Sequence, residues 1–311
     1  MINILKKNVY KAFGLTILSE IPLPELPQIN IESNRTDVVI EKADLSTLWS
    51  QYSNRNEDFV IEKDWVMFHM PGTAIFLVQN GRRILVSPIN GAHESEIRLY
   101  ILGTCMGAIL LHRKILPLHG SAIAINGKAY AIVGDSGAGK STLASAFLKR
   151  GFQLVSDDVI PVTLNNENTP IVTPSYPQQK LWLESLNHFG MESNNYQPLF
   201  VRETKFAVPV QSQFAVEPLP LAGVFELVKG DKEEIEIYSI QSLKRFYKLY
   251  YHTYRNFFIQ GSGLMEWHFN TSSKIINKID FYQLQRPINR FTAYDLTELI
   301  LNKIKVEGKV Q

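Results

Sequence analysis

The 311-residue sequence contains one cysteine, Cys105. A lone thiol cannot close an intrachain disulfide, and it excludes a metal centre built from several thiolates. An excess of either charge is also missing: 32 lysines and arginines stand against 30 aspartates and glutamates, for a formal net charge of +2. No global basic surplus points to nucleic acid, and no acidic surplus points to a solvating tail. Long apolar runs are absent too. The most apolar stretch, Ile101 to Leu111, is about half of the ~20 residues that a membrane span needs. The N-terminal apolar run before Lys6 and Lys7 is too short for a signal-peptide core. With 18 glycines, 15 prolines and 45% hydrophobic residues, the chain is neither low-complexity nor disordered. The expectation is a soluble cytoplasmic protein with no nucleic-acid or membrane partner.

At ~150 residues per domain the length suggests about two domains. The pattern divides the chain into a β-rich N-terminal domain, 1–92, and a phosphate-loop domain, 93–311. In the first, Asn80-Gly81 separates the β-rich runs TAIFLVQ and RRILVSP, a strong hairpin signal because both turn residues need positive φ. Apolar spacing from Glu94 to Arg113 reads as a largely buried helix that holds Cys105, an inert thiol. Asn126-Gly127 marks a second hairpin. Lys140 to Arg150 reads as a helix closed by Gly151, and Val155 to Val162 as a strand. Further strands are expected at Phe206–Val210, Gly223–Leu227 and Glu234–Ser239, and helices near Leu243–Phe258 and Ala293–Lys303. In the 243–258 stretch Lys244, Lys248, His252 and Arg255 share one helical face, either a cationic docking surface or simply a solvated face. Tyr250, Tyr254, Phe257 and Phe258 should be buried.

The chemistry concentrates after the second hairpin. Gly134, Asp135, Ser136, Gly137, Ala138, Gly139, Lys140 and Ser141 fit G-x-x-x-x-G-K-[ST], between a strand and a helix. Glycines let backbone N–H groups converge on phosphate oxygens, and the helix N-terminus adds positive potential. Lys140 suits the β- and γ-phosphates and the Ser141 hydroxyl suits Mg²⁺; Thr142 completes the nucleotide-binding set. Asp157 and Asp158 close a short apolar run, so they are expected at a strand tip, where a carboxylate can hold Mg²⁺ or take a proton. Neighbouring strand side chains face opposite ways, which predicts different tasks for the two. His119, at the start of the second hairpin, is a structural hydrogen-bonder or tunes an aspartate.

His119-Gly120, the GDSGAGKS loop and Leu154-Val155-Ser156-Asp157-Asp158 together resemble the catalytic domain of the HPr kinase/phosphorylase family. The resemblance implies an α/β, phosphoenolpyruvate carboxykinase-like phosphate-loop core with a smaller β-rich N-terminal domain, and ATP and Mg²⁺ as cofactors. It implies Asp157 as base toward a serine hydroxyl, His119 as its contact, Lys140 at the phosphates, and Ser141 and Asp158 for Mg²⁺. It suggests Arg202 and Lys205 as mobile accessory cations, and leaves room for a homo-oligomer. The Tyr10–Leu15 and Ser19–Pro24 stretches are similar to the HPr-kinase-like proteins of lasso-peptide biosynthesis, which implies a ribosomal precursor peptide as substrate. Where the family usually has an acid after the loop serine, Thr142 stands here, and Gln211-Ser212-Gln213 follows Val208-Pro209-Val210 in place of Pro-Gly-Arg-Asn. HPr phosphorylation, a small-molecule kinase, and a nucleotide-binding regulator without transfer are the alternatives.

Overall fold

The computed structural model describes residues 8–30, 36–53, 58–199, 202–241 and 243–307; Lys6, Lys7 and part of the polar 53–58 stretch lie outside them. The N-terminal part forms β1 (Asn8–Ala12), β2 (Leu15–Ser19), β3 (Val38–Lys42), α1 (Ser46–Tyr52), β4 (Phe59–Ile61), β5 (Trp65–Met70), β6 (Ala74–Gln79) and β7 (Arg83–Pro88). They make one sheet in the order β1-β2-β3-β7-β6-β5-β4. β6 and β7 pair through the expected turn, with Asn80 at φ 52° and Gly81 at φ 61°. One face of this sheet packs on α2 (Glu94–Tyr100), a π-helical turn (Ile101–Cys105) and α3 (Met106–His112). Phe68 and Phe76 from the sheet share a core with Ile101, Met106 and Ile109. The 92/93 division thus falls in the loop before α2, and the core runs across it. Cys105 is buried there, and burial pushes its thiol pKa well up, so the thiolate is suppressed.

The chain then forms β8 (Leu116–Ile125), β9 (Lys128–Val133), α4 (Lys140–Lys149), β10 (Gln153–Leu164), β11 (Pro170–Val172), β12 (Gln178–Trp182), α5 (Leu183–His188), β13 (Gln197–Leu199), β14 (Arg202–Pro209), β15 (Leu219–Gly230), β16 (Glu236–Ser239), α6 (Leu243–Tyr251), α7 (Phe257–Gly261), α8 (Met265–Ile276), β17 (Asp280–Pro287) and α9 (Ala293–Glu307). The second sheet runs β11-β10-β8-β9-β15-β17-β16, and β12, β14 and β13 form a small third sheet. β9, β15 and β17 are parallel, so their carboxyl ends share one edge, where α/β sheets bind ligands. Leu143 and Phe147 of α4 pack with Leu296 and Ile300 of α9 on one face. Leu249 of α6 and Ile275 and Ile276 of α8 cover the other.

The structure departs from the sequence reading in two places. The helix expected over 243–258 stops at Tyr251, because Arg255 takes φ 53° and the segment turns back to pair Thr253 with Leu118. His252 consequently points inward to Glu226, at 2.8 Å, instead of joining a cationic face, and Phe257 is exposed. Neither α8 nor β17 was expected as an element.

Candidate functional site

The phosphate loop leaves β9 at Gly134, whose φ of 148° and close approach both demand glycine: a Cβ there would sit 2.5 Å from the Leu227 carbonyl oxygen. Asp135 O accepts from Ala138 N at 3.1 Å, which rounds the loop into α4. Lys140 opens that helix and its ammonium donates to the carbonyls of Gly134 (2.8 Å) and Asp135 (3.0 Å). Burial lowers the Lys140 pKa, opposed by Asp158 and Asp157. Arg286, from the end of β17, donates through Nε to Ala138 O at 2.8 Å and so braces the loop from outside. Its guanidinium pKa is lowered by burial.

Asp157 and Asp158 sit in the middle of β10, not at its tip, opposite Ser121 and Gly120 of β8. Asp158 has φ 70°, which breaks strand alternation at the pair. Both carboxylates consequently reach the same neighbourhood. Asp157 is buried and accepts from three donors: Oδ1 from Ser121 (2.5 Å) and Ser141 (3.0 Å), and Oδ2 from the Lys180 backbone N–H (2.9 Å). Burial raises its pKa, against the hydrogen bonds from Ser121 and Lys180. Asp158 faces the cavity and accepts from the Lys180 ammonium at 2.6 Å. Burial pushes its pKa up, but the charges of Lys180, His119 and Lys205 override that and hold the carboxyl well below the usual range. Ser141 is therefore joined to Asp157, whereas the resemblance grouped it with Asp158.

His119 stands on the Asp158 side, not beside Asp157. Its Nδ1 lies 3.1 Å from the Asp158 carbonyl and 3.7 Å from Asp158 Oδ1. A carbonyl only accepts, so Nδ1 carries the proton and the neutral ring keeps Nε2 as an acceptor. Burial lowers its pKa to about 4, with Asp158 opposing and Lys140 assisting. At neutral pH the ring is uncharged.

A cavity of about 870 Å³ joins these groups. The loop residues, Asp158, His119, Lys180 and Lys205 line it; Asp157 lies behind its wall. Thr142 turns aside to Ser185, with the hydroxyl oxygens 2.7 Å apart. Lys205 lies 5.5 Å from the Trp182 ring centroid and its charge acts on both aspartates and His119. Arg202 opens β14, but its side chain lies outside the described residues. Sequence reasoning missed Lys180, Ser121 and Arg286 as site residues. It also missed Tyr251, whose hydroxyl donates to Asp135 Oδ1 at 3.0 Å. None belongs to a local motif; pairing between distant strands brings them in.

Among the described residues no cluster of three or more His, Cys, Asp and Glu forms a metal cage. The Ser141 hydroxyl and Asp157 carboxylate do supply two hard oxygens side by side. That donor set fits Mg²⁺, which is typically held by one or two protein oxygens together with substrate phosphates and water.

Residues 112–211 match the HPr Serine kinase C-terminal domain family. The HPr kinase/phosphorylase of Lactobacillus gasseri is 28% identical over 129 residues, covering 39% of this chain and 40% of that protein. The one from Limosilactobacillus reuteri is 34% identical over 116 residues, covering 33% and 35%. The solved Hpr(Ser) kinase/phosphatase from Coxiella burnetii aligns with TM-score 0.34 and 18% identity over 62% of this chain and 98% of that one. The chain spans 40% of the length of the Lactobacillus gasseri relative. The matched segment, 112–211, holds His119, the phosphate loop and the aspartate pair, and it is there that the chain is similar to the HPr Serine kinase C-terminal domain.

Proposed function

We propose that the chain is an ATP-dependent kinase that transfers the γ-phosphoryl group to a serine hydroxyl of a peptide, with a lasso-type precursor peptide as its substrate. One observation carries this reading. Beside a phosphate loop stand two adjacent carboxylates in different surroundings, one buried against the loop serine and one open to the cavity beside a neutral histidine.

Loop amides and Lys140 receive the phosphates. Ser141 and Asp157 would hold Mg²⁺, which would neutralise phosphate charge. Asp158 takes the proton of the attacking hydroxyl. His119 holds the Asp158 backbone, and Lys180 keeps the carboxylate ionised and oriented. A base with so low a pKa is weak in the ground state, so its part is to orient the hydroxyl and accept the proton late, as bond formation to phosphorus acidifies it. The two aspartates thus exchange the roles that the resemblance suggested. Their geometry is the reason: Asp158 lines the cavity where an acceptor would stand, whereas Asp157 lies behind it beside the loop serine.

HPr, after which the relatives are named, is the second acceptor to test. Purified chain incubated with labelled ATP, Mg²⁺ and either HPr or the precursor peptide encoded beside its gene should label the peptide serine. Label on neither acceptor would overturn the kinase reading; label on HPr alone would replace the substrate.

A further inference from the structure

The cavity continues past Asp158 and His119, away from the phosphate loop, to a wall built jointly by the π-helical turn and the 252–257 bend. We propose that this end binds the acceptor peptide, and that Arg255 is its carboxylate receptor: the serine that reaches Asp158 is accompanied by a nearby carboxylate. The inference rests on the kinase reading above.

The bend is held rigidly. Its backbone is tied to β8, with His119 N donating to His252 O (2.7 Å) and Tyr254 N to Pro117 O (2.8 Å). The Tyr254 side chain packs against the helical segment at Gly103 and Gly107, where an added Cβ would come within 2.9 Å of its hydroxyl and 2.7 Å of its ring. Arg255 follows in the left-handed region at φ 53°, a conformation that strains an arginine and concentrates at functional sites. Opposite it, Thr104 sits on the π-helical turn, another rare feature that often marks function. Two irregular segments 151 residues apart in the chain, counted from Thr104 to Arg255, therefore meet here.

Their contact positions a cation. Arg255 Nη2 donates to Thr104 Oγ1 at 3.1 Å, and the guanidinium stands 5.7 Å from the Phe59 ring centroid and 5.9 Å from that of Tyr254. Among the described residues no carboxylate pairs with it. Arginine has five N–H donors in a planar fork suited to a carboxylate, and it stays charged. A half-buried guanidinium resting on two rings, with most donors unused and a cavity in front, is built to receive an anion.

The nucleotide is not that anion, because its charge is met at the other end, where Lys229 and Arg286 flank the loop glycines. Arg255 instead lies one ring beyond the base. Tyr254 packs on His119 with centroids 5.4 Å apart, and His119 abuts Asp158. An extended peptide advances ~3.3 Å per residue, so a carboxylate within about three residues of the serine falls in range.

The test uses the full chain, MgATP and a library of serine peptides carrying Asp, Asn or Lys at each of three positions on either side. Each is made with a free and an amidated C-terminus, which separates a side-chain carboxylate from the chain-terminal one. Peptides with a carboxylate should be phosphorylated roughly tenfold or more efficiently than their Asn or amide counterparts. Arg255→Glu should reverse the preference toward Lys. Because that change can unseat the bend, Thr104→Val is the second probe: it removes the hydroxyl that bonds the guanidinium and the Tyr254 hydroxyl, and should raise KM for the acidic peptide while KM for ATP holds. Equal phosphorylation of Asp, Asn and Lys peptides overturns the inference and leaves the kinase reading standing. No phosphorylation of any peptide or of HPr overturns both.

Discussion

The Lys180 ammonium donates to Asp158 at 2.6 Å while its backbone N–H donates to Asp157 at 2.9 Å, so one residue of β12 holds both members of the aspartate pair. The Lys180 side chain is 7% exposed and that of Asp158 20%. For Lys180, burial alone would lower the pKa, but Asp158 overrides it and raises the pKa above its ordinary value of 10.5. The pair is thus charged at every physiological pH. Its contribution through Asp158 is full above the ordinary carboxylate pKa of 3.8 and fades as pH falls below it. Through Lys180 it is full below 10.5 and fades only as pH rises through the raised value.

Lys180→Met leaves the Asp158 carboxylate buried without its counter-charge, a change that costs ~3–5 kcal/mol. It should lower the urea midpoint at pH 7 by an amount that shrinks toward pH 3, where Asp158 becomes protonated. In the same variant the acidic limb of the pH–rate profile should move to higher pH, because Asp158 loses the charge that keeps its pKa down. An unmoved limb would mean that Asp158 is not the group titrating in the rate.

The two aspartates should separate cleanly by substitution. Asp158→Asn should keep MgATP binding in calorimetry and lose roughly 10²–10⁴ in transfer rate, the usual weight of a general base. Asp157→Asn should instead weaken nucleotide binding mainly when Mg²⁺ is present, because the oxygen beside Ser141 loses its charge. The opposite pattern would restore the assignment that the resemblance suggested.

The parts legible in the sequence were those written locally. The turns at Asn80-Gly81 and Asn126-Gly127 and the strand–loop–helix from Lys128 to Lys149 follow from residues adjacent in the chain. That Asp157 and Asp158 lie on a strand was legible; their place in its middle and their orientation were not. A period-2 rule assumes regular φ, and Asp158 at φ 70° breaks it. The 243–258 stretch failed for a related reason. Its helical periodicity is real as far as Tyr251, after which pairing of Thr253 with Leu118 outweighs helix propensity. Lys180 and Arg286 enter the cavity through tertiary contacts across tens of residues, for which no window of sequence carries a signal; Arg255 was legible as one of a group of cations, but on a helical face that ends before it.

Gly134→Ala tests the loop itself. The new methyl would stand 2.5 Å from the Leu227 carbonyl oxygen, part of the parallel strand β15 that cannot yield without disturbing its pairing with β9 and β17. The loop must shift, so nucleotide affinity should fall at least tenfold with a stability loss of ~1–3 kcal/mol from backbone strain. Gly151→Ala is the control: its φ of 86° strains the backbone, yet a Cβ there meets nothing within 4 Å, so it should cost stability and spare nucleotide binding.

His268 gives the fold a distinct acid sensitivity. It is buried between Thr253 Oγ1 (2.9 Å from Nε2) and Ser272 Oγ (3.4 Å from Nδ1). Thr253 already donates to Leu249 O, so it accepts from Nε2–H, and Nδ1 is left to accept from Ser272. Both bonds suit the neutral ring, and burial lowers its pKa from 6.5 to about 4. The unfolded chain therefore takes up the proton first: stability is full above pH 6.5 and drains as pH falls toward about 4, by ~3 kcal/mol from this residue. Because Thr253 anchors the bend to Leu118, the same protonation should loosen the wall that carries Arg255. His268→Gln should unfold at lower urea at pH 7 but lose less between pH 6.5 and 4 than the wild type. Parallel urea midpoints across that interval would place the acid sensitivity elsewhere.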